Sequence, residues 1–293
     1  MEWRLRRDAV SYVGEHLHRP ECIIAQPDGM LWIADKEAVA VRRDPDGRQT
    51  PVGKIDGLTN GMALDRAGRL YIADIERGRV LRMSPDGTTE TVLADMAGTP
   101  LGAVNFVLLD SRERLWITVS TRAEPRSRAI DRPRADGYVA LLDEHGARIV
   151  LDDLWFTNEV RLDAREEWLY VAETTAGRVS RAPVRADGSV GAREVYGPDG
   201  LWDGAKVDGI TFDADHNLWV TEITRNALVV ITPKGEAHTV FEDPAGEVID
   251  FPTSVTFGGP DLRTAYVGSL RMTRLPCFTA PVPGLPLHHW HRA

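Results

Sequence analysis

Cysteine is scarce in this chain, which has only Cys22 and Cys277 in 293 residues. Two thiols so far apart cannot supply the disulfide framework of a small secreted domain or a zinc knuckle, so they are expected to be free. No apolar run approaches the roughly 20 residues that a membrane-spanning helix needs, so no membrane partner is expected. The segment Met1 to Asp8 lacks the apolar core of a signal peptide, and we therefore expect a cytoplasmic location.

The chain also lacks an excess of basic residues, because its net charge is −9 and its pI is about 5.4. A protein that binds nucleic acid needs a basic face to meet the phosphates, so we expect no nucleic-acid partner. Helical periodicity is missing over any useful length, which excludes a mainly helical fold.

A short motif of an apolar residue, an aromatic residue and a β-branched or second aliphatic residue recurs six times. Its aromatic members are Trp32, Tyr71, Trp116, Tyr170, Trp219 and Tyr266, spaced 39 to 54 residues apart. Each motif follows an apolar strand and a turn, and a repeat of this length with four strands is typical of a propeller blade. We therefore predict an all-β fold in which residues 1–293 form a single six-bladed β-propeller domain, with a β-sandwich or two small β domains as the alternative.

Polar residues occupy the same place in every predicted blade, 11 to 13 residues before the aromatic marker. They are Glu21, Asn60, Asn105, Asn158, Asp208 and Thr253. This place begins the first strand of each blade, and the innermost strands of a propeller line its central channel. The six side chains, which we call the ring residues, should therefore converge at one end of the channel.

Two carboxylates that converge in a narrow channel repel each other and lose solvation unless they share a partner. Carboxylate and amide oxygens are ligands of hard cations, and the ring contains no cysteine or histidine. The ring therefore predicts one divalent metal ion in a central metal site, with calcium favoured and zinc, manganese or magnesium as alternatives. The simpler explanation is that polar residues begin strands and bond to loop backbone, which accounts for Thr253 but poorly for Glu21.

At these residues the chain resembles the family of senescence marker protein 30, gluconolactonase and luciferin-regenerating enzyme. The resemblance spans nearly the whole chain and depends on Pro20-Glu21, Thr157-Asn158, Val207-Asp208-Gly209 and blade repeats such as Gly68 to Asp74. There is also some likeness to strictosidine-synthase-like propellers in Val171 to Thr175. The resemblance implies that Glu21, Asn158 and Asp208 hold a divalent metal, and that Asn105 faces the metal or the substrate.

The resemblance also implies a metal-dependent lactonase-like hydrolase that acts on a small-molecule lactone or related ester. A metal-polarised carbonyl and an activated water would carry the reaction, with Asp208 as the first candidate base and Glu21 as the second. Asn60 and Asn105 would orient the substrate. A different metal-assisted reaction, such as hydration, isomerisation, C–C cleavage or a condensation, and a non-catalytic propeller with a structural metal are the alternatives.

Two departures from the family pattern concern the substrate. Sugar-acid lactonases of the family carry an arginine two residues before the third-blade asparagine, where this chain has Ala103, and Phe106 follows Asn105. A less polar substrate in contact with Phe106 is therefore expected. The longest interval between markers places an arginine-rich insertion at 120–137, which includes Arg122 as a candidate substrate contact. This insertion is predicted to be either a lid or a solvated loop.

Overall fold

The computed structural model describes residues 3–291 and contains six four-stranded antiparallel sheets arranged around a central axis. The predicted six-bladed β-propeller is therefore confirmed. Strand β1 (Ser11–Val13) comes before the first blade. Blade 1 then contains β2 (Ile23–Ala25), β3 (Leu31–Ala34), β4 (Ala40–Arg43) and β5 (Gln49–Val52). Blade 2 contains β6 (Thr59–Leu64), β7 (Leu70–Asp74), β8 (Arg79–Met83) and β9 (Thr89–Leu93).

The short hairpin of β10 (Asp95–Met96) and β11 (Thr99–Pro100) leads into the third blade. Blade 3 contains β12 (Val104–Leu109), β13 (Leu115–Val119), β14 (Ala135–Asp143) and β15 (Gly146–Trp155), with helix α1 (Arg128–Asp131) between β13 and β14. Blade 4 contains β16 (Thr157–Leu162), β17 (Trp168–Glu173), β18 (Arg178–Pro183) and β19 (Glu194–Tyr196). Blade 5 contains β20 (Val207–Phe212), β21 (Leu218–Glu222), β22 (Ala227–Ile231) and β23 (Ala237–Glu242).

Blade 6 contains β24 (Pro252–Gly258), β25 (Thr264–Ser269) and β26 (Leu275–Thr279), and β1 completes it as the outermost strand. Ser11 lies opposite Cys277 in this pairing, so strands from the two ends of the chain close the ring. By position near the two chain ends, Trp3–Arg7 and Leu285–Trp290 are also candidates for closing the ring, but neither supplies this strand. Short 3-10 helices span Arg7–Ala9, Thr174–Ala176 and His288–His291.

The two rejected segments pack elsewhere on the ring. Trp3 meets the edge of the Trp219 ring with the centroids 5.9 Å apart, and the backbone N–H of Leu5 donates to Val240 in blade 5. The segment 284–290 crosses the end of the channel opposite the ring residues, where the indole N–H of Trp290 donates to the carbonyl of Ala25. It therefore covers one end of the channel instead of completing a blade.

The aromatic markers recur because they fill the space between neighbouring blades. Trp219 in blade 5 packs edge-on against Phe257 of blade 6 at 5.7 Å, and Tyr170 in blade 4 packs edge-on against Phe212 of blade 5 at 4.9 Å. Each such pair contributes roughly 0.5–1.5 kcal/mol beyond its buried area. Both cysteines are buried and free, as expected.

Candidate metal centre

The ring residues enter the channel at a shared irregularity of the innermost strands. In blades 2 to 6 the pairing between the first and second strands shifts register at the first residues of the innermost strand. A bulge of this kind re-aims a side chain that would otherwise alternate between the two faces of a sheet. The ring residues inside these shifts are Asn60, Asn105, Asn158, Asp208 and Thr253, and all are buried, as is Glu21 just before β2.

A buried acidic residue at the end of the second strand fixes the loop that leads into the ring. It lies three positions after the aromatic marker in blades 1, 2, 4 and 5, and its carboxylate accepts a backbone N–H two or three residues before the ring residue. The four pairs are Asp35 with His18, Asp74 with Leu58, Glu173 with Trp155 and Glu222 with Lys206, at 2.8 to 3.0 Å. These residues stand in the repeat motif, but the sequence reasoning gave them no role.

Arg19 connects the first two ring residues. Its guanidinium forms an ion pair with Glu21, donates to Oδ1 of Asn60 at 2.8 Å and donates to the carbonyl of Thr59 at 3.1 Å. The Arg19 backbone is left-handed, with φ of 58°, and its side chain is only 17% exposed. A cationic side chain is therefore built into the ring, which the sequence analysis did not identify.

The amides of the ring are joined to one another. Nδ2 of Asn60 donates to the Asn105 carbonyl at 3.0 Å and to its Oδ1 at 3.2 Å, and Nδ2 of Asn105 donates to Ser120 at 2.9 Å. Nδ2 of Asn158 donates to Thr174 at 3.1 Å, which leaves its Oδ1 for another partner. These bonds orient the amide oxygens, so the asparagines are ordered before any ligand arrives.

Thr253 has a different role from the other ring residues. Its hydroxyl donates to the carbonyl of Glu21 at 2.9 Å, and the hydroxyl of the next residue, Ser254, donates to the same carbonyl at 2.6 Å. Thr253 therefore fastens blade 6 to blade 1, as the simpler explanation of polar strand starts predicts.

Glu21 and Asp208 interact across the channel from blades 1 and 5. Burial raises the pKa of Glu21, although the neighbouring charge of Arg19 lowers it. Burial raises the pKa of Asp208 well above its ordinary value, and the negative charges of Glu21 and Glu159 raise it further. The amide of Asn158 bonds to the Asp208 carboxylate and favours its ionised form. Two carboxylates in this situation need more positive charge than Arg19 alone provides.

The residues present fit a divalent cation. Oε2 of Glu21 is buried, and its ion pair with the Arg19 guanidinium balances part of the negative charge in the channel. Two carboxylates with neighbouring amide oxygens form the oxygen-rich donor set that calcium prefers. Within 3–291 no group of three or more His, Cys, Asp or Glu side chains could hold a metal, so a site here would depend on the amides.

A second charged pair lies in the channel beside the ring. Oε2 of Glu159 accepts the backbone N–H of Ile210 at 3.0 Å and pairs with Arg161 at 3.2 Å, and the Arg161 guanidinium covers the Phe106 ring at 4.7 Å. Burial raises the pKa of Glu159 to about 7, against the opposing charge of Arg161.

Phe106 and Arg122, which were predicted to contact substrate, are both in contact with other side chains. Phe106 is 3% exposed beneath Arg161, so its ring packs inside the channel. Arg122 forms an ion pair with Asp152 at 3.0 Å, and its guanidinium lies 4.4 Å from the centre of the Tyr138 ring. Both partners belong to blade 3. The substrate contacts assigned to Phe106 and Arg122 stay sequence predictions.

The insertion in blade 3 lies at the same end of the channel as the ring, since β13 ends there. Strand β14 begins at Ala135, so the last residues of the predicted 120–137 insertion belong to a sheet. Ala129 of α1 is fully buried, which anchors the segment, and Arg126 lies close enough for its charge to lower the pKa of Glu21. The insertion is therefore a largely exposed loop that Ala129 anchors at the ring end of the channel.

Residues 20–271 match the model of the SMP-30/Gluconolactonase/LRE-like region. The chain belongs to this family. The 6-deoxy-6-sulfogluconolactonase of Pseudomonas putida is 26% identical over 243 residues, which are 70% of this chain and 80% of that protein. The pentonolactonase XacC of Haloferax volcanii is 28% identical over 241 residues, which are 81% of this chain and 76% of that protein.

The family's fold is also seen in solved structures. The calcium-binding protein regucalcin of Agrobacterium tumefaciens superposes with a TM-score of 0.74 at 18% identity, over 94% of this chain and 97% of that chain. At this identity the likeness establishes the fold. Within residues 3–291 no helix is long and apolar enough to cross a membrane.

Proposed function

We propose that this protein is a divalent-metal-dependent hydrolase that opens a lactone or a related ester. The observation that supports this most directly is the pair of buried carboxylates, Glu21 and Asp208, whose negative charges interact in the channel. The family membership and the two relatives named as lactonases favour a lactone as the substrate.

Glu21, Asn158 and Asp208 would hold the cation, with Asn105 next to them in the ring. A bound divalent cation would polarise the substrate carbonyl and stabilise the oxyanion that develops on it. Calcium is the metal we favour, because the donors are all oxygens and the structurally similar regucalcin is a calcium-binding protein. Zinc, manganese and magnesium are tested beside it.

The residues of the chain would supply the base and the orientation. Burial and the nearby Glu21 and Glu159 raise the pKa of Asp208 when no cation is bound, and a carboxylate that holds the cation through one oxygen keeps the other for a proton. Asp208 would take the proton from the attacking water, and Glu21 is the second candidate. Asn60 keeps Asn105 in place through its Nδ2, so the Asn105 amide can orient the substrate with little loss of entropy.

The test is hydrolysis of a panel of sugar and aliphatic lactones by protein stripped with EDTA, before and after each metal is added back. We expect turnover that returns with one metal and falls at least about a hundredfold in Asp208→Asn, which keeps the shape but removes the charge. Asp203→Asn, an exposed aspartate in the preceding loop, is the matched control and should keep full activity. Metal-independent turnover, or no turnover with any metal, would reject the proposal.

A further inference from the structure

One basic side chain is part of the ring, and the proposed reaction assigns it no role. The Arg19 guanidinium forms an ion pair with Glu21. It also donates to Oδ1 of Asn60 at 2.8 Å and to the carbonyl of Thr59 at 3.1 Å. In the part of the chain that the structure describes, no other basic side chain forms an ion pair with Glu21 or Asp208. Arg19 is therefore the positive charge that the chain itself pairs with the ring.

The backbone holds this charge close to Glu21. The backbone N–H of Glu21 donates to the Arg19 carbonyl at 2.8 Å, which closes a three-residue turn around Pro20. Proline suits the centre of such a turn, because its ring fixes φ near the value that the turn requires. The Arg19 backbone is left-handed, with φ of 58°, and a residue other than glycine keeps this conformation only where the surrounding structure enforces it.

The remaining contacts of Arg19 lie in the next blade. Thr59 and Asn60 both belong to β6, and Asn60 in turn donates to Asn105 in blade 3. The planar guanidinium can bond to acceptors on two blades at once, because its N–H groups point in several directions within one plane. Arg19 therefore occupies oxygen atoms of two ring residues, one in blade 1 and one in blade 2.

A divalent cation in the ring would compete with Arg19 for Glu21. The cation of the proposed function binds the carboxylate of Glu21, whose charge the guanidinium already balances in part. Like charges repel each other more strongly at a buried site than in water, because the effective dielectric constant is lower there. The cation must therefore displace the guanidinium from Glu21 or share the carboxylate with it, and both outcomes weaken its binding.

We propose that Arg19 is a tethered counter-ion that competes with the divalent cation for Glu21 and thereby sets the cation affinity of the ring. This inference rests on the cation of the proposed function and concerns how tightly that cation is held. Arg19 has two effects of opposite sign. It stabilises the ring without a cation, because Glu21 is then paired, and it weakens cation binding, because that pair must be loosened or broken.

Calorimetric titration of EDTA-stripped protein with calcium tests the competition without turnover. Arg19→Met removes the charge and keeps an unbranched side chain, and we expect it to bind calcium at least about tenfold more tightly than the wild type. Arg19→Lys keeps the charge and should stay within about threefold of the wild type. An affinity of Arg19→Met equal to or below that of the wild type would overturn the proposal, and so would an equal gain in Arg19→Lys.

Arg271→Met is the matched control for the loss of an arginine at this end of the channel. Arg271 forms an ion pair with Asp250 at 3.3 Å, and Asp250 is not a ring residue. The calcium affinity of Arg271→Met should therefore equal that of the wild type. A gain as large as that of Arg19→Met would show that the effect does not depend on the pair with Glu21 and would overturn the proposal.

The charge of the bound ion provides a second test. Repulsion by Arg19 is proportional to that charge, so the logarithm of the gain in Arg19→Met should be about half as large again for Tb³⁺ as for Ca²⁺. A tenfold gain for calcium would then accompany a gain of about thirtyfold for terbium, an ion of similar size. A purely structural effect on the turn would change both affinities by the same factor, which would overturn the proposal.

Unfolding by urea measures the two effects of Arg19 separately. In EDTA, Arg19→Met should be less stable than the wild type, because Glu21 and Asp208 lose their counter-ion. Saturating calcium should reduce this difference, because the variant binds the ion more tightly. An equal loss of stability with and without calcium would show that Arg19 only links blades 1 and 2, and the counter-ion role would be rejected.

Lactone hydrolysis distinguishes this inference from the proposed function. Calcium affinities that follow the expected order of the Arg19 variants, with no hydrolysis of any lactone, would support the counter-ion and reject the hydrolase. Metal-dependent hydrolysis with an unchanged calcium affinity in Arg19→Met would leave the hydrolase intact and overturn the counter-ion. Failure of the wild type and of every variant to bind calcium or terbium would overturn both.

Discussion

Glu222 provides the sharpest test of how the fold holds a ring residue. It is fully buried at the end of β21 and accepts four hydrogen bonds: from the backbone N–H of Lys206 at 2.8 Å, from the backbone and hydroxyl of Thr224 at 3.0 and 2.6 Å, and from the backbone of Arg225 at 2.9 Å. Lys206 lies two residues before Asp208. The Glu222 carboxylate therefore fixes the loop that leads into Asp208 at the channel.

Glu222→Ala would leave three backbone N–H groups without their acceptor. At about 1–3 kcal/mol for each unsatisfied group, and with water replacing some of the bonds, we expect a loss of about 4 kcal/mol in the free energy of unfolding. Glu222→Gln should cost about 2 kcal/mol, because its NH2 group would face the N–H of Arg225 in place of an acceptor. Calcium affinity should fall roughly tenfold in both variants as Asp208 loses its fixed position.

Urea unfolding in EDTA and calorimetric calcium titration of the folded variants measure the two effects separately. Glu242→Gln, on the exposed edge of the same blade and 3.4 Å from Arg225, is the control and should change stability by less than about 0.5 kcal/mol. A loss of less than about 1 kcal/mol in the free energy of unfolding of Glu222→Ala would show that the Glu222 carboxylate does not hold this loop. Normal calcium affinity in destabilised Glu222 variants would refute its role in positioning Asp208.

Two further predictions concern the channel and its mouth. In EDTA the free energy of unfolding should fall as the pH rises from about 5 to 8, because burial raises the pKa of Glu159 to about 7 and the folded state then keeps a proton that the unfolded state releases. In urea unfolding, Glu159→Gln should reduce this dependence of the free energy of unfolding on pH, and the exposed Glu144→Gln should leave it unchanged. The same pH dependence in wild type and Glu159→Gln would contradict the effect of burial. Replacing 123–133 by a short glycine linker should raise KM for lactones and leave the calcium affinity unchanged in a calorimetric titration. A loss of calcium binding would show that the loop supports the ring residues instead.

The blades and the ring were predictable because a propeller repeats. A repeat places an aromatic residue between blades and a polar residue at the channel in each copy, so position along the repeat determines position in space. The same logic placed Glu21 and Asp208, which are 187 residues apart, in one channel. It also extended to Thr253, whose bond to the Glu21 carbonyl shows that one member of the set has a structural role.

Features that occur once were not predictable in this way. Arg19 is one of many arginines in the sequence, and only its backbone conformation and its contacts with Glu21 and Asn60 show that it belongs to the ring. Arg122 is one of several arginines in the insertion, and its pairing with Asp152 depends on how the loop folds over blade 3. Ring closure by Ser11–Val13 was missed because a three-residue strand carries almost no pattern.

One divalent cation should bind where Glu21, Asn158 and Asp208 converge, and anomalous diffraction can locate it there. Crystals grown from EDTA-treated protein, soaked with Mn²⁺ and measured at the manganese edge, should show one strong peak in the channel with oxygens of Glu21 and Asp208 at roughly 2.1–2.5 Å. Crystals of Asp208→Asn treated in the same way should show a much weaker peak. A peak elsewhere, or no peak at the ring with the manganese in excess, would contradict the account.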